Sequence, residues 1–383
     1  MENNKKIVII GSKPESLINF RGDLLKLLIK QKYKVYAISN FNKSFSFTKE
    51  KLNKWGINFK EIPIKRGNNS IIKELKTIRL LRREILEIRP SIIIAYTIKP
   101  VIYTGLVLLS INSLKINYFP MITGLGYIFI DPLKFKFKKF ILKILVLLIY
   151  KTALKSAKSI IFQNNDDINL FKSLNLLPRG ADIHKVNGSG VDLRFYKSSR
   201  LPNDHIFFMA SRLIKDKGIY EYIKAAEYVK IKFPNSKFLL AGGIDLNPTS
   251  LNSDDINNLS KSEIIDYLGE LDTEKIRDTL RISRYYVLPS YREGTPRSIL
   301  EALASKRPII TCDVPGCRET VIHNHNGYLI EPRSYISLAK AMIRFINQDS
   351  KKTELMAENS LELAKYKFEI NKVNNHIVSI IRK

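Results

Sequence analysis

Short, unbroken apolar runs recur along this 383-residue chain, separated by amphipathic stretches. In the first half Lys6–Ile10, Ser91–Tyr96 and Lys158–Gln163 are such runs, and the first of them ends at Gly11. They predict parallel strands buried on both faces. Lys34–Ser39 alternates apolar and polar residues, the pattern of one more strand. Phe20–Gln31 sets Leu24, Leu25, Leu27 and Leu28 at helical spacing, and Lys73–Ile88 reads as a charged helix stopped by Arg89-Pro90. The second half begins the cycle again. Strands are predicted at Ile206–Ala210, Lys237–Ala241, Asp266–Leu268, Tyr285–Leu288 and Pro308–Cys312. Helices are predicted at Ile219–Phe233, Arg297–Ala304, Ser334–Gln348 and Ser350–Tyr366.

Strands alternating with helices imply βαβ units and parallel sheets, hence the α/β class. At about 100–200 residues per domain the length fits two domains. The polar stretch Leu193–Asp204, with Ser198, Ser199 and Pro202, reads as the linker. The expected domains are therefore residues 1–196 and 205–383, with the last helix free to return to the first domain. No internal repeat is visible at 20–50 residues.

Composition changes this picture little: 45% hydrophobic and 26% charged residues are ordinary globular usage and exclude a disordered or fibrous chain. Cys312 and Cys317 cannot build a disulfide framework, and their spacing alone makes no zinc site. Ile7–Ile10 is too short for a signal-peptide core.

Charge changes the picture more. Of the net +28, residues 1–200 carry +24 and residues 201–383 only +4. A lysine bias common to a whole proteome would colour both halves alike. The first half is therefore expected to meet something anionic: a membrane surface, a phosphorylated substrate or nucleic acid. Phe135–Lys158 concentrates lysines beside aliphatic residues, yet its uncharged run Ile144–Tyr150 has seven residues where a span needs about 20. It reads either as an interfacial basic amphipathic helix or as a buried helix with a solvated basic edge.

The most specific chemistry lies in Arg292-Glu293-Gly294-Thr295-Pro296-Arg297-Ser298-Ile299-Leu300-Glu301. Gly294 and Pro296 shape a strand-to-helix turn whose free amides suit an anionic group. Glu293 stands in the loop, and Glu301, two turns into the helix, is placed to accept two hydroxyls of a ribose; a surface glutamate and a helix cap are the plainer alternative. The second signal is Ala210-Ser211-Arg212-Leu213-Ile214-Lys215-Asp216-Lys217-Gly218, directly after a strand. Ligands bind outside the carboxyl ends of such strands. Arg212 and Lys217 are placed to clamp a pyrophosphate, one by a fork and one by a point charge.

Together these elements resemble glycosyltransferase family 4, the retaining, nucleotide-sugar-dependent enzymes of the GT-B fold. Glu293–Glu301 matches the family's E-x7-E element and Arg212–Gly218 its Arg-x4-Lys-Gly element. Ser189-Gly190-Val191-Asp192, Gly242-Gly243, Tyr267-Leu268-Gly269 and Asn326-Gly327-Tyr328-Leu329 match further family positions. In the first half, Ser12 with Asn19-Phe20-Arg21, Thr97-Ile98-Lys99-Pro100 with Tyr103 and Gly105, and Ile122-Thr123-Gly124-Leu125-Gly126 are similar to a subgroup that adds N-acetylhexosamine to glycans on undecaprenyl diphosphate.

The resemblance implies two Rossmann-like domains facing across a cleft. It assigns catalytic roles to Glu293, Arg212 and Lys217, the two cations offsetting charge on the departing nucleotide. It assigns the donor to Gly11, Ser12, Arg212, Lys217, Gly243, Leu268, Gly294, Thr295, Pro296, Ser298 and Glu301, and the acceptor side to Asn19, Arg21, Lys99, Thr123 and Gly124. It implies a UDP-sugar as donor substrate, no cofactor and no metal. Retention would follow a front-face displacement in which the leaving phosphate takes the acceptor proton. One departure stands out: many family members carry a histidine near Thr123-Gly124. The five histidines here lie elsewhere, so none is assigned to catalysis.

The expected partners are a UDP-sugar, a lipid-linked sugar acceptor and an anionic membrane surface. The expected location is the cytoplasmic face of the inner membrane, held peripherally. Nucleic acid is not expected, because aromatic platforms are not interleaved with the basic residues. Two enzymatic alternatives remain: a GT-B-like nucleotide-sugar epimerase, which needs no acceptor, and a glycosyltransferase with a soluble acceptor. A non-enzymatic binding module would leave Glu293, Glu301 and the Arg212–Gly218 loop unexplained.

Overall fold

The computed structural model describes residues 5–41, 45–64, 70–111, 114–125, 137–244 and 249–383, with backbone alone at 45, 137–140 and 142–143. They divide into two compact units: Met1–Ser189 with Val373–Lys383, and Gly190–Lys372.

The first unit runs β1 (Lys6–Ile10), α1 (Pro14–Asn19), α2 (Gly22–Lys30), β2 (Lys34–Ser39), α3 (Phe45–Lys54), β3 (Asn58–Glu61), α4 (Ile71–Ile88), β4 (Ile92–Tyr96), α5 (Ile98–Leu109), β5 (Asn117–Ile122), α6 (Phe137–Leu154), β6 (Ser159–Phe162), α7 (Asn165–Ser173) and β7 (Asp182–Lys185). Its seven strands are parallel, in the order β3-β2-β1-β4-β5-β6-β7. Successive side chains leave a strand on opposite faces. Val8, Ile10, Ile93 and Ala95 accordingly pack with α4–α7, while Ile7, Ile9, Ile92 and Ile94 pack on the other side. That explains why the strands read as continuous apolar runs.

The second unit runs β8 (Ile206–Ala210), α8 (Ile219–Lys232), β9 (Lys237–Ala241), α9 (Ser253–Ser260), β10 (Ile265–Tyr267), α10 (Thr273–Ile282), β11 (Tyr285–Leu288), α11 (Arg297–Ala304), β12 (Ile309–Cys312), β13 (Gly327–Ile330), α12 (Tyr335–Asn347) and α13 (Ser350–Leu363). Its six parallel strands are ordered β10-β9-β8-β11-β12-β13. The last helix, α14 (Ile370–Arg382), sends Val373, Ile377, Val378, Ile380 and Ile381 into the core of the first sheet.

The helix expected at Phe20–Gln31 is α2, Gly22–Lys30, preceded by the short α1. The linker expectation needs correction: Leu193–Asp204 does not join the two units. The boundary falls at Ser189/Gly190, and Tyr196 and Leu201 from that stretch are buried.

Arg307 fixes the same stretch. Its side chain is fully buried and donates to the carbonyls of Leu280 (2.7 Å) and Arg281 (3.1 Å), at the end of α10, and of Ser199 (3.1 Å). A cation at a helix C-terminus meets the negative end of the dipole. Burial lowers this guanidinium to about 10, so it stays charged at neutral pH. Arg307→Ala removes the side-chain donor from these three carbonyls and should cost the second unit about 3 kcal/mol. Trp55, the single tryptophan, lies in the first unit. In urea, the far-ultraviolet dichroism transition should therefore move to lower denaturant while Trp55 fluorescence moves less; an unchanged dichroism midpoint would remove Arg307 from the stability account.

Candidate active site

In open parallel sheets ligands bind where the strand order reverses. In the second unit that point lies between β8 and β11. The loop after β8 carries Arg212 and Lys217 and closes in a single tight turn over Lys215–Lys217. Gly218 follows with φ +75, and a side chain there would run into the Pro289 carbonyl, so both the turn and the close approach require glycine. The loop after β11 reaches across. Tyr291 N–H donates to the Asp216 carbonyl at 2.9 Å, and Ser290 Oγ donates to the same oxygen at 3.1 Å. Asp216 was quoted in the sequence only as part of the loop; its carbonyl is the joint between the two chemistries.

This joint brings Lys217 Nζ into an ion pair with Glu293, both side chains largely shielded from solvent. Arg212 is exposed at the mouth of the loop. Glu293 is supported from below, its N–H donating to Pro315 O at 3.0 Å. Gly316 has φ +80 and lies against the carbonyls of Glu293 and Gly294, where no Cβ fits. Burial, and next the Glu293 charge, push the Cys317 thiol well up, so that cysteine is an inert floor rather than a nucleophile. Gly294 and Pro296 are buried, and Pro296 caps α11. Glu301, on α11, is buried and accepts from Arg297 Nε at 2.8 Å. Ser298 lies in the same helix beside the buried Tyr286, whose hydroxyl donates to Ala210 O at 3.0 Å and so ties β11 to the end of β8.

Two more strand ends complete this edge. Gly242 lies on the Ser211 carbonyl, and Gly243 O accepts from Leu213 N at 3.1 Å. A Cβ on Gly243 would meet the Glu270 carboxylate at 2.7 Å. Leu268, one residue past β10, keeps 38% of its surface exposed, leaving an apolar group at the rim. Cations, a buried carboxylate and an apolar rim can together take a diphosphate, a diol and a flat ring.

The first unit has its own reversal, between β1 and β4. Gly11 lies on the Tyr96 phenol, where no side chain fits. Ser12 is buried and accepts from Thr97 Oγ1 at 3.2 Å. Thr97 has φ +68, an uncommon backbone for a β-branched residue that no sequence pattern announces. Thr123 and Gly124 follow the next strand end, half-buried, and Asn19 is exposed at the end of α1. Lys99 ion-pairs with Glu74 at 2.7 Å, and Tyr103 donates to the same carboxylate. Glu74 was not singled out in the sequence; a carboxylate in a lysine-rich helix carries no signal of its own. Arg21, expected on the acceptor side, is 2% exposed, with its guanidinium 5.2 Å from the Tyr96 ring centroid. Among the described residues no group of three or more His, Cys, Asp or Glu could hold a metal ion.

Two parallel α/β units, one carrying a cationic loop and a carboxylate loop at its strand reversal, are the make-up of a GT-B transferase. The comparisons agree. Residues 18–164 match the family "Glycosyl transferase 4-like" and residues 194–362 match "Glycosyl transferases group 1", and the chain belongs to these glycosyltransferases. It is 28% identical, over 65% of its length and 66% of the other's, to the N,N'-diacetylbacillosaminyl-diphospho-undecaprenol alpha-1,3-N-acetylgalactosaminyltransferase of Campylobacter jejuni. It is 29% identical to the UDP-Gal:alpha-D-GlcNAc-diphosphoundecaprenol alpha-1,3-galactosyltransferase of Escherichia coli, over 49% of this chain and 48% of that enzyme. The chain thus spans just under two thirds of the first relative and about half of the second. Its fold matches Anabaena HepE in complex with UDP and glucose, with a TM-score of 0.76 over 99% of both chains at 18% identity.

The loop geometry makes Gly316 an indirect support of the site. Gly316→Ala should push the Glu293 loop outward and lower turnover by about 10²-fold, the cost of a misplacement near 1 Å. Initial-rate kinetics check this; turnover within twofold of wild type would mean that the loop tolerates the shift.

Proposed function

We propose that this glycosyltransferase moves a sugar, an N-acetylhexosamine, from a UDP-sugar to a polyprenyl-diphosphate-linked glycan in surface polysaccharide or glycoprotein glycan assembly. The observation that carries the reading is the convergence of Lys217, Glu293 and Glu301 on one strand reversal, with Arg212 at its mouth. Arg212 and Lys217 hold the diphosphate and offset its growing charge as the bond from the sugar C1 to the phosphate oxygen breaks. Glu301 accepts the ribose hydroxyls, Leu268 and Gly243 border the base, and Glu293 with the amides of Gly294 and Thr295 meets the sugar. The acceptor hydroxyl attacks C1 from the face the phosphate leaves, passing its proton to a departing phosphate oxygen, so the anomeric configuration is retained. Gly11 and Ser12 are the donor contacts proposed for the first unit, and Asn19, Lys99, Thr123 and Gly124 its acceptor contacts.

The lipid-linked acceptor is supported by the two bacterial relatives, whose names carry a diphospho-undecaprenol acceptor, and by the first unit's surface. No helix of the described residues is long and apolar enough to cross a membrane. α6 nevertheless exposes Ile141, Ile144, Leu145, Leu148 and Ile149, a stripe at helical spacing, and Lys151, Lys155 and Lys158 beyond it are exposed. The chemistry fits peripheral docking on an anionic bilayer at the cytoplasmic face. Lys134, Lys136 and the side chains of Lys138, Lys139, Leu142 and Lys143, which the sequence puts in the same patch, lie outside the described residues.

A panel of UDP-sugars with a lipid-diphosphate sugar acceptor tests the reaction. Transfer from a UDP-N-acetylhexosamine that requires the acceptor is expected. Conversion of the nucleotide sugar without acceptor would favour the epimerase, and transfer to a water-soluble sugar alone would favour a soluble acceptor. Glu293→Gln should fold and bind UDP but lose more than 10²-fold in kcat, about 2.7 kcal/mol.

Docking has its own test. Wild type should sediment with anionic liposomes at low salt and be partly released at high salt, as charge is screened within about 8 Å at physiological ionic strength. Leu145→Glu with Leu148→Glu should abolish sedimentation and leave UDP binding intact. Sedimentation by the double variant equal to wild type would exclude α6 as the docking face.

A further inference from the structure

Glu301 does not stand alone in its pocket. Arg297, one turn earlier on α11, donates from Nε to Oε1 at 2.8 Å. Near both groups lies Tyr196, from the stretch that leads into the second unit. It is 2% exposed, and its hydroxyl has no hydrogen-bond partner among the described residues. Buried hydroxyls without a partner are uncommon and call for an explanation. Burial, and next the Glu301 charge, push this phenol well above its ordinary value, so it stays a neutral donor across the physiological range.

The donor and acceptor inventory supplies the explanation. An ionised carboxylate offers about four lone-pair sites. Arg297 uses one on Oε1, the Tyr196 phenol is close enough to take a second by a small turn of the carboxylate, and the two that remain match the two hydroxyls of a vicinal diol. A glutamate otherwise has three side-chain torsions to immobilise when a ligand arrives, and fixing them beforehand removes that cost from binding. We propose that Tyr196 and Arg297 are positioning residues that together hold the Glu301 carboxylate and aim its remaining lone pairs at the diol of a nucleotide ribose. The proposal rests on the reading of Glu301 as the ribose carboxylate. Its plain alternative is an ordinary helix ion pair next to a core tyrosine, which would have no regard for what the nucleotide carries.

That difference is measurable by calorimetry on the full chain, with UDP and with 2′,3′-dideoxy-UDP, which keeps the base and the diphosphate but lacks both hydroxyls. Wild type should prefer UDP by at least about tenfold. Tyr196→Phe should weaken UDP by about fivefold and Arg297→Gln by about tenfold, with dideoxy-UDP changed less than twofold in each. Arg297→Lys should recover part of the loss, since an ammonium still donates one bond. Tyr196→Phe removes only one oxygen, so it carries the test even if Arg297→Gln does not fold. Equal weakening of both nucleotides, or of neither, would overturn the clamp while leaving Glu301 on the ribose. A wild type that binds the two nucleotides equally would remove Glu301 from the ribose, and the clamp with it.

Discussion

The second unit depends on one backbone oxygen, the Asp216 carbonyl, which accepts from Ser290 Oγ and Tyr291 N–H and so ties the loop after β8 to the loop after β11. Parallel strand order alone brings the two strand ends side by side. The hydrogen bonds convert that neighbourhood into a fixed geometry in which Lys217 reaches Glu293. Gly218 and Gly316 make it possible from either side, one by admitting the Pro289 carbonyl and the other by letting the next loop lie under Glu293. Neither glycine touches chemistry directly; each removes a side chain where backbone must approach backbone.

Charge is arranged on the same logic. The carboxylates of the cationic pocket are paired, Glu293 with Lys217 and Glu301 with Arg297. Buried charges without partners are costly, so a pocket that must wait for a doubly charged ligand needs internal counter-charges. On the proposed reading a diphosphate would add its negative charge to Lys217 and to Arg212 at the rim, while Glu301 would keep lone pairs for hydroxyl donors. The first unit follows a related pattern, with Lys99 held by Glu74.

Much of this was legible in the sequence, because the buried strands β1, β4, β8 and β11 are continuous apolar runs and each is followed by residue types that only a ligand loop needs. The expected helix Arg297–Ala304 and strand Tyr285–Leu288 have the bounds the structure gives them. What escaped has physical causes. β5 carries Pro120, which argues against a central strand, yet pairing with β6 begins only at Met121, so the missing N–H is tolerated there. α5 carries Pro100 in its first turn, where proline is harmless, but Thr97 before it adopts a positive φ that no pattern announces. Tyr196 sat in a polar stretch that composition marks as linker; its burial comes from tertiary packing, and only the aromatic between charged neighbours hinted at it.

The central claim is that the reversal between β8 and β11 recognises a diphosphate through Arg212 and Lys217. Calorimetric titration of UDP against uridine tests it most directly, in wild type, Arg212→Ala and Lys217→Ala. Wild type should bind UDP more than about 10²-fold tighter than uridine, through charge-assisted bonds that only the diphosphate can accept. Each variant should lose most of that preference while binding uridine as wild type does. A preference for UDP over uridine that is unchanged in both variants would contradict the account, because the diphosphate would then be held elsewhere.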